Sequence, residues 1–286
     1  MNRLAASLPT FPDSVADEEI GAHVHLPRGR EFAELTLVIG PCRSGSTAVL
    51  RAAAATGHTA HFQPFKRLIR RTLLGEEARF ALPSGPGRGV LKETFGPFLL
   101  AESAFDPVTI LSGLGYPSHL LNLIVTLRHP VDMYLSWERL HRANDRFGGT
   151  DTEVFVAAFR HTLDLHRRAR DSGLRVTAFA ADALSDSKPE DVLPVLFARH
   201  GLAYSSAAVR WPTAPGVLDA SMVREPEPEL FRAPGALDGV RRAAAFAFRA
   251  PRAGGAANGV PHQVTELIDE YQRFAAQTIE DLGGPA

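Results

Sequence analysis

Two short stretches concentrate the residues that can do chemistry. In the first, Gly40-Pro41-Cys42-Arg43-Ser44-Gly45-Ser46-Thr47 follows the apolar run Leu35 to Ile39 and opens the Ala-rich stretch Thr47 to Ala55. A strand thus feeds a tight glycine turn, and the turn feeds a helix. That order aims backbone N–H groups and the positive end of a helix dipole at one point, where a phosphate sits well. Arg43 adds a cation inside the turn, and Ser44, Ser46 and Thr47 add hydroxyls. In the second stretch, Leu120 to Leu127 reads as a buried strand that ends in Arg128-His129-Pro130. Pro130 suits the first turn of a helix over roughly Val131 to Arg142. Arg128 at the strand tip and Ser136 two turns into that helix can clamp a second phosphate between a charged fork and a hydroxyl.

The first stretch departs from the nucleotide-binding pattern G-x4-G-K-[ST] at one position. Gly40, Gly45 and Thr47 fit, but Ser46 stands where the lysine belongs. That lysine normally reaches the β- and γ-phosphates of a triphosphate. The second strand ends in Arg128, where such enzymes often place an aspartate that helps hold Mg²⁺. Both departures weigh against a P-loop-type small-molecule kinase, which stays as an alternative.

Together the two stretches resemble the motifs of the sulfotransferases that use 3′-phosphoadenosine 5′-phosphosulfate (PAPS). Residues 40–47 are similar to that family's 5′-phosphosulfate loop, and Arg128 to Trp137 to its 3′-phosphate motif with an arginine and a serine eight residues apart. The resemblance implies a P-loop-like α/β fold, PAPS as donor, 3′-phosphoadenosine 5′-phosphate (PAP) as product, and no metal. It implies that Arg43, Ser44, Gly45, Ser46 and Thr47 hold the 5′-phosphosulfate, and that Arg128 and Ser136 hold the 3′-phosphate. Arg249 and Arg252, in a glycine-containing stretch near the C-terminus, loosely match a basic loop that covers the 3′-phosphate in one branch. The tryptophan of that loop is missing. So is the tyrosine that the family often carries before Asp182, where this chain reads Ala-Ala-Asp-Ala-Leu. The match covers residues 35–204 and extends to the last eighty by position only.

The reaction implied is sulfuryl transfer to a hydroxyl or amine. It needs in-line placement, donors for the developing charge, and a base. Ser46 and Lys92 are the candidates to meet that charge. One branch places a glutamate near the position of Gln63, which cannot act as a base; another places a histidine at the position of Thr94. The base therefore falls to His61, preferred for its imidazole, or next to Glu93. A lone loop histidine is as readily structural, and Glu93 can simply pair with Lys92. Lys66, Arg67, Arg70 and Arg71 share one side of a helix. This reads as a solvated face, though beside the loop it would also draw an anionic acceptor. Trp137 and Trp211 read as core or pocket wall.

The elements that must position these residues alternate. Strands are expected near 35–39, 88–92, 120–127 and 174–180. Helices are expected near 46–56, 65–74, 130–142, 151–171, 188–200 and 262–281. Alternation predicts a three-layer α/β/α sandwich on a mostly parallel sheet, with ligands beyond the carboxyl ends of the strands. The 286 residues, 45% of them apolar, read as one domain: a core at 35–204, an irregular acceptor-site cover at 205–260, and a C-terminal helix at 261–286. A net charge of −1 points away from nucleic acid and anionic membranes. The single cysteine and the lack of a signal-peptide layout suggest a bacterial cytoplasmic protein. The expected partner is a small-molecule acceptor, with a homodimer left open. A non-catalytic binding protein built on the same fold is the remaining alternative.

Overall fold

The computed structural model describes residues 10–211, 222–251 and 259–283. In chain order it runs α1 (Asp17–Ala22), β1 (Val24–His25), β2 (Glu34–Pro41), α2 (Ser46–Ala55), β3 (Thr59–Phe62), α3 (Pro64–Leu73), β4 (Phe80–Ala81) and β5 (Arg88–Phe95). It continues through α4 (Ala101–Ala104), α5 (Pro107–Gly113), β6 (Leu121–Leu127), α6 (Pro130–Ala143), α7 (Thr152–Asp171), β7 (Arg175–Ala180) and α8 (Pro189–Arg199). It closes with α9 (Asp238–Arg242), α10 (His262–Thr265) and α11 (Ile268–Leu282). The four expected strands and the six expected helical regions are present. The expected C-terminal helix is divided into α10 and α11. The short elements α1, β1, β3, β4, α4, α5 and α9 carry too little periodicity to be read from sequence.

Five parallel strands form the main sheet in the order β3-β5-β2-β6-β7, while β1 and β4 pair separately. The central strands β2, β5 and β6 are almost wholly buried, as strands covered by helices on both faces are; β2 and β6 are mostly apolar, while β5 buries Lys92 and Glu93 as well. One face packs against α3, α6, α7 and α11 through residues such as Phe65, Trp137, Phe155 and Phe274. The other packs against α2 and α8 through Val49, Leu50, Leu193 and Phe197. This is a three-layer α/β/α sandwich. No helix among the described residues is long and apolar enough to cross a membrane.

The strand order sets the site. From β2 the chain first winds to one side, through β3 and β5, and then crosses to the other, through β6 and β7. The reversal lies between β2 and β6, so the loops after those two strands diverge and leave a crevice at the carboxyl edge. The loop at 42–45 and the Arg128 motif are those two loops.

The last helix closes the sheet on the β7 side. Asp281 accepts the backbone N–H of Ala178 at 2.9 Å, and Thr278 accepts that of Ala180 at 3.0 Å. On the β3 side the short segment at 222–224 lies alongside: Phe62 N–H donates to Val223 O and Val223 N–H to Ala60 O.

Candidate functional site

The loop between β2 and α2 is held from below. Gly40 packs so closely on β6 that a Cβ there would stand 2.1 Å from the Thr126 carbonyl oxygen. Ser44 turns inward and shares a 2.7 Å hydrogen bond with Thr126 Oγ1, which itself donates to Ile39 O. The Ser44 hydroxyl therefore ties down the loop and does not line the cavity, a correction to its expected role as a phosphate donor. Gly45 takes φ +100°, the left-handed conformation glycine adopts without strain, and starts α2. Among the described residues no side chain caps α2, whereas Asp106 caps α5 and Asp151 caps α7. The first N–H groups of α2 thus carry no side-chain cap, the arrangement in which a helix start can meet an anion.

Above this loop opens a cavity of about 590 Å³. Arg43, Gly45, Ser46 and Thr47 line it from the loop, Arg128 and Ser136 from the β6–α6 corner, and Lys92 from β5. The two stretches singled out in the sequence thus meet in one space. Arg43 links them: its Nε donates to Ser136 Oγ at 2.9 Å, and its Nη1 donates to Ala236 O. Arg128 lies 3.7 Å from Asp132 one turn on. The corner that carries it is fixed by Asp182, which accepts the His129 N–H at 2.7 Å and the Tyr271 hydroxyl. Trp137, fully buried, donates to Cys42 O and so holds the other flank of the loop.

The roof comes from the segment after residue 222, which sequence periodicity could not read. Arg224, Glu227 and Phe231 line the cavity, as do residues 233–237 and 239–241. Val240 O accepts from Arg51 of α2, so two arginines near the loop, Arg43 and Arg51, both bind this roof. Arg249, by contrast, is exposed and does not line the cavity, and Arg252 lies outside the described residues. Arg224, Arg232 and Arg241 are the basic residues of the described C-terminal part that do line it.

The acid–base candidates separate. Strand alternation puts Phe62 and Lys92, register partners on β3 and β5, on the cavity side. His61 and Glu93, each one residue away, point to the other face. His61 packs edge-on against Phe80 at 5.4 Å, and burial with Arg67 nearby lowers its pKa to about 4. Glu93 accepts the N–H groups of Phe65 and Lys66 at 2.7 and 3.2 Å, capping α3. Its burial raises its pKa to about 7 even against those bonds. Neither residue lines the cavity, so both readings as base are corrected to structural roles.

Lys92 remains. It is 3% exposed, its Nζ lies 4.0 Å from the centre of the Phe62 ring, and burial lowers its pKa to about 7. On the basic side of α3, Lys66, Arg67 and Arg70 are buried too, not solvated; only Arg71 is half-buried, paired with Glu76. Burial opposes the charge of Arg70, but Glu102 and Glu227, both 2.6 Å away, raise its pKa. Lys66 donates to Gly96 O and lies 3.7 Å from Glu102. Around the cavity, Arg43, Lys66, Arg70, Lys92, Arg128, Arg224, Arg232 and Arg241 face Glu227, the only carboxylate among the described lining residues. Such a wall favours a multiply charged anion. Comparison of the chain with protein-family models and with curated proteins gives no match.

Proposed function

We propose that the protein transfers a sulfuryl group from PAPS to a hydroxyl or amine of a small molecule. One observation supports this reading: the 42–47 loop with the uncapped α2 and the Arg128–Ser136 corner, joined by Arg43, line one strongly cationic cavity. A donor with phosphates on both the 3′ and the 5′ oxygen of its ribose answers to two such places. The resemblance of both stretches to sulfotransferase motifs supports the same donor.

In this reading the loop N–H groups, Arg43 and Ser46 hold the 5′ end and meet the charge that grows on the leaving phosphate oxygen. Arg128 and Ser136 hold the 3′-phosphate. Lys92 takes the place given to His61 and Glu93. As a neutral amine it accepts the proton of the attacking acceptor O–H or N–H while the new O–S or N–S bond forms and the S–O bond to the phosphate breaks. His61 and Glu93 standing off the cavity also favours a second reading, a binding protein without turnover. Formation of PAP from PAPS with any phenol would exclude it.

Calorimetry without Mg²⁺ tests the donor. PAP should bind far more tightly than AMP or ATP. Arg128→Ala should weaken PAP by one to two decades and AMP hardly at all, since a charge-assisted hydrogen bond is worth about 1.5–3 kcal/mol. Equal affinity for AMP and PAP would overturn the two-clamp reading.

A further inference from the structure

Lysines are scarce in this chain: Lys66, Lys92 and Lys188 are all of them. Their surroundings differ. Lys188 is exposed, just before α8. Lys66 is tied down, donating to Gly96 O and lying 3.7 Å from Glu102. Lys92 is 3% exposed and lines the cavity, yet among the described residues its amine makes no hydrogen bond and no ion pair. Its Nζ rests on the ring of Phe62, 4.0 Å from the centre. Burying a charge so placed is costly. Cys42, Glu93 and Glu227 favour the charged form, but burial outweighs them and lowers the pKa to about 7.

This amine lies beside an anion site. Lys92 is the register partner of Val38, and Val38 and Val90 pack in the cluster that joins the sheet to α2. Strand alternation puts Lys92 on that same face. Gly40, near the end of β2, stands two residues beyond Val38. With strands about 4.8 Å apart and a rise of about 3.3 Å per residue, the Lys92 backbone lies about 8 Å from Gly40. A lysine side chain spans most of that gap. The start of α2, which has no side-chain cap, lines the cavity through Gly45 and Ser46. One small molecule can therefore reach both the amine and the helix start. A desolvated amine with a second cation nearby, here Lys66, is a nucleophile toward carbonyl carbon.

We propose that Lys92 is a reversible covalent site for a small aldehyde that carries a phosphate group, the phosphate at the start of α2 and the aldehyde carbon on Nζ. The Nζ lone pair adds to the carbonyl carbon, and a proton passes from nitrogen to oxygen to give a carbinolamine. That oxygen then leaves as water and a C=N bond remains; no electrons are gained or lost. The proposal needs the loop to hold a phosphate and does not need PAPS. Only its consequence, that the adduct blocks the base, rests on the transfer reading.

Pyridoxal 5′-phosphate and pyridoxal differ by the phosphate alone and serve as matched probes. The full chain is incubated with each near neutral pH, the imine is reduced with borohydride, and labelled peptides are identified by mass spectrometry. Pyridoxal phosphate should label Lys92 at least about tenfold more than Lys188, since an ordinary lysine, of pKa about 10.4, is almost wholly charged there. Pyridoxal should label Lys92 at least about tenfold less than its phosphate does, the size of one charge-assisted hydrogen bond. Equal labelling of Lys92 and Lys188, labelling of Lys66 in place of Lys92, or equal labelling of Lys92 by both aldehydes overturns the proposal. Glyceraldehyde 3-phosphate separates the sources. If it also labels Lys92 the site takes sugar-phosphate aldehydes; if only pyridoxal phosphate does, the site takes the cofactor aldehyde, and either result upholds it. Excess PAP separates the proposal from the donor reading. Labelling of Lys92 that PAP does not reduce removes the donor from the loop while the aldehyde site stands. PAP that binds by calorimetry to a protein whose Lys92 takes no label leaves the donor and overturns the aldehyde site.

Discussion

The proposed transfer gives Lys92 the part of base, because it is a buried cation at the cavity wall. Burial lowers its pKa to about 7. Below that pH the side chain is charged and favours an anionic ligand; above it the side chain is neutral and does not. PAP affinity should therefore fall as pH rises from about 7 to 9, and binding at pH 8 should take up a proton. Calorimetry in two buffers of different ionisation enthalpy would read that proton directly, and Lys92→Met should abolish it. A proton count of zero at pH 8 in the unaltered protein would remove Lys92 from the site. At this scale the sequence was informative where the signal is local. Arg43, Ser46, Thr47, Arg128 and Ser136 sit within two short patterns, and all line the cavity. It misled where a neighbour in space decides. Glu93 is spent on two N–H groups of α3, far from it in the chain. The alternation of β5 alone says that Lys92 and Glu93 must face opposite ways, and that signal was available in the sequence.

The elements act as clamps on one another. Asp182 follows β7, yet its two oxygens hold the N-terminal corner of α6 and the hydroxyl of Tyr271 on α11. Asp182→Ala leaves both donors buried without a partner, at about 1–3 kcal/mol each. It should lower the denaturant midpoint and also erase the preference for PAP over AMP, since Arg128 is the next residue along from His129. Tyr271→Phe keeps the His129 bond, so it should lose stability but retain the preference. Loss of the preference in both variants would mean that the corner is held by some other contact. The strands β2 and β6 were legible because each is a mostly apolar run, and β5 and β7 because shorter apolar stretches follow Gly89 and Gly173. The strand β3 was not, since four residues, Thr59–Phe62, give no period. Nor was the roof at 222–241, whose course depends on backbone carbonyls bound by Arg43 and Arg51 and not on any pattern of its own.

At the scale of the whole molecule the site is assembled from two parts of the chain, the sheet edge at 40–136 and the roof at 224–241. PAP binding should slow hydrogen exchange both at 42–48 and at 233–242, because the ligand stands between them. Slowing confined to 42–48 would show that the roof takes no part in holding the donor. The architecture has a further consequence for how copies of this protein can meet. An outer strand with free N–H and C=O groups is a template on which another strand can build. Here α11 has taken the N–H groups of Ala178 and Ala180 with side chains, and Val223 has taken the N–H of Phe62 and the carbonyl of Ala60 on β3. At those positions neither outer strand of the five-stranded sheet offers a neighbour the free groups needed to continue it into a longer ribbon.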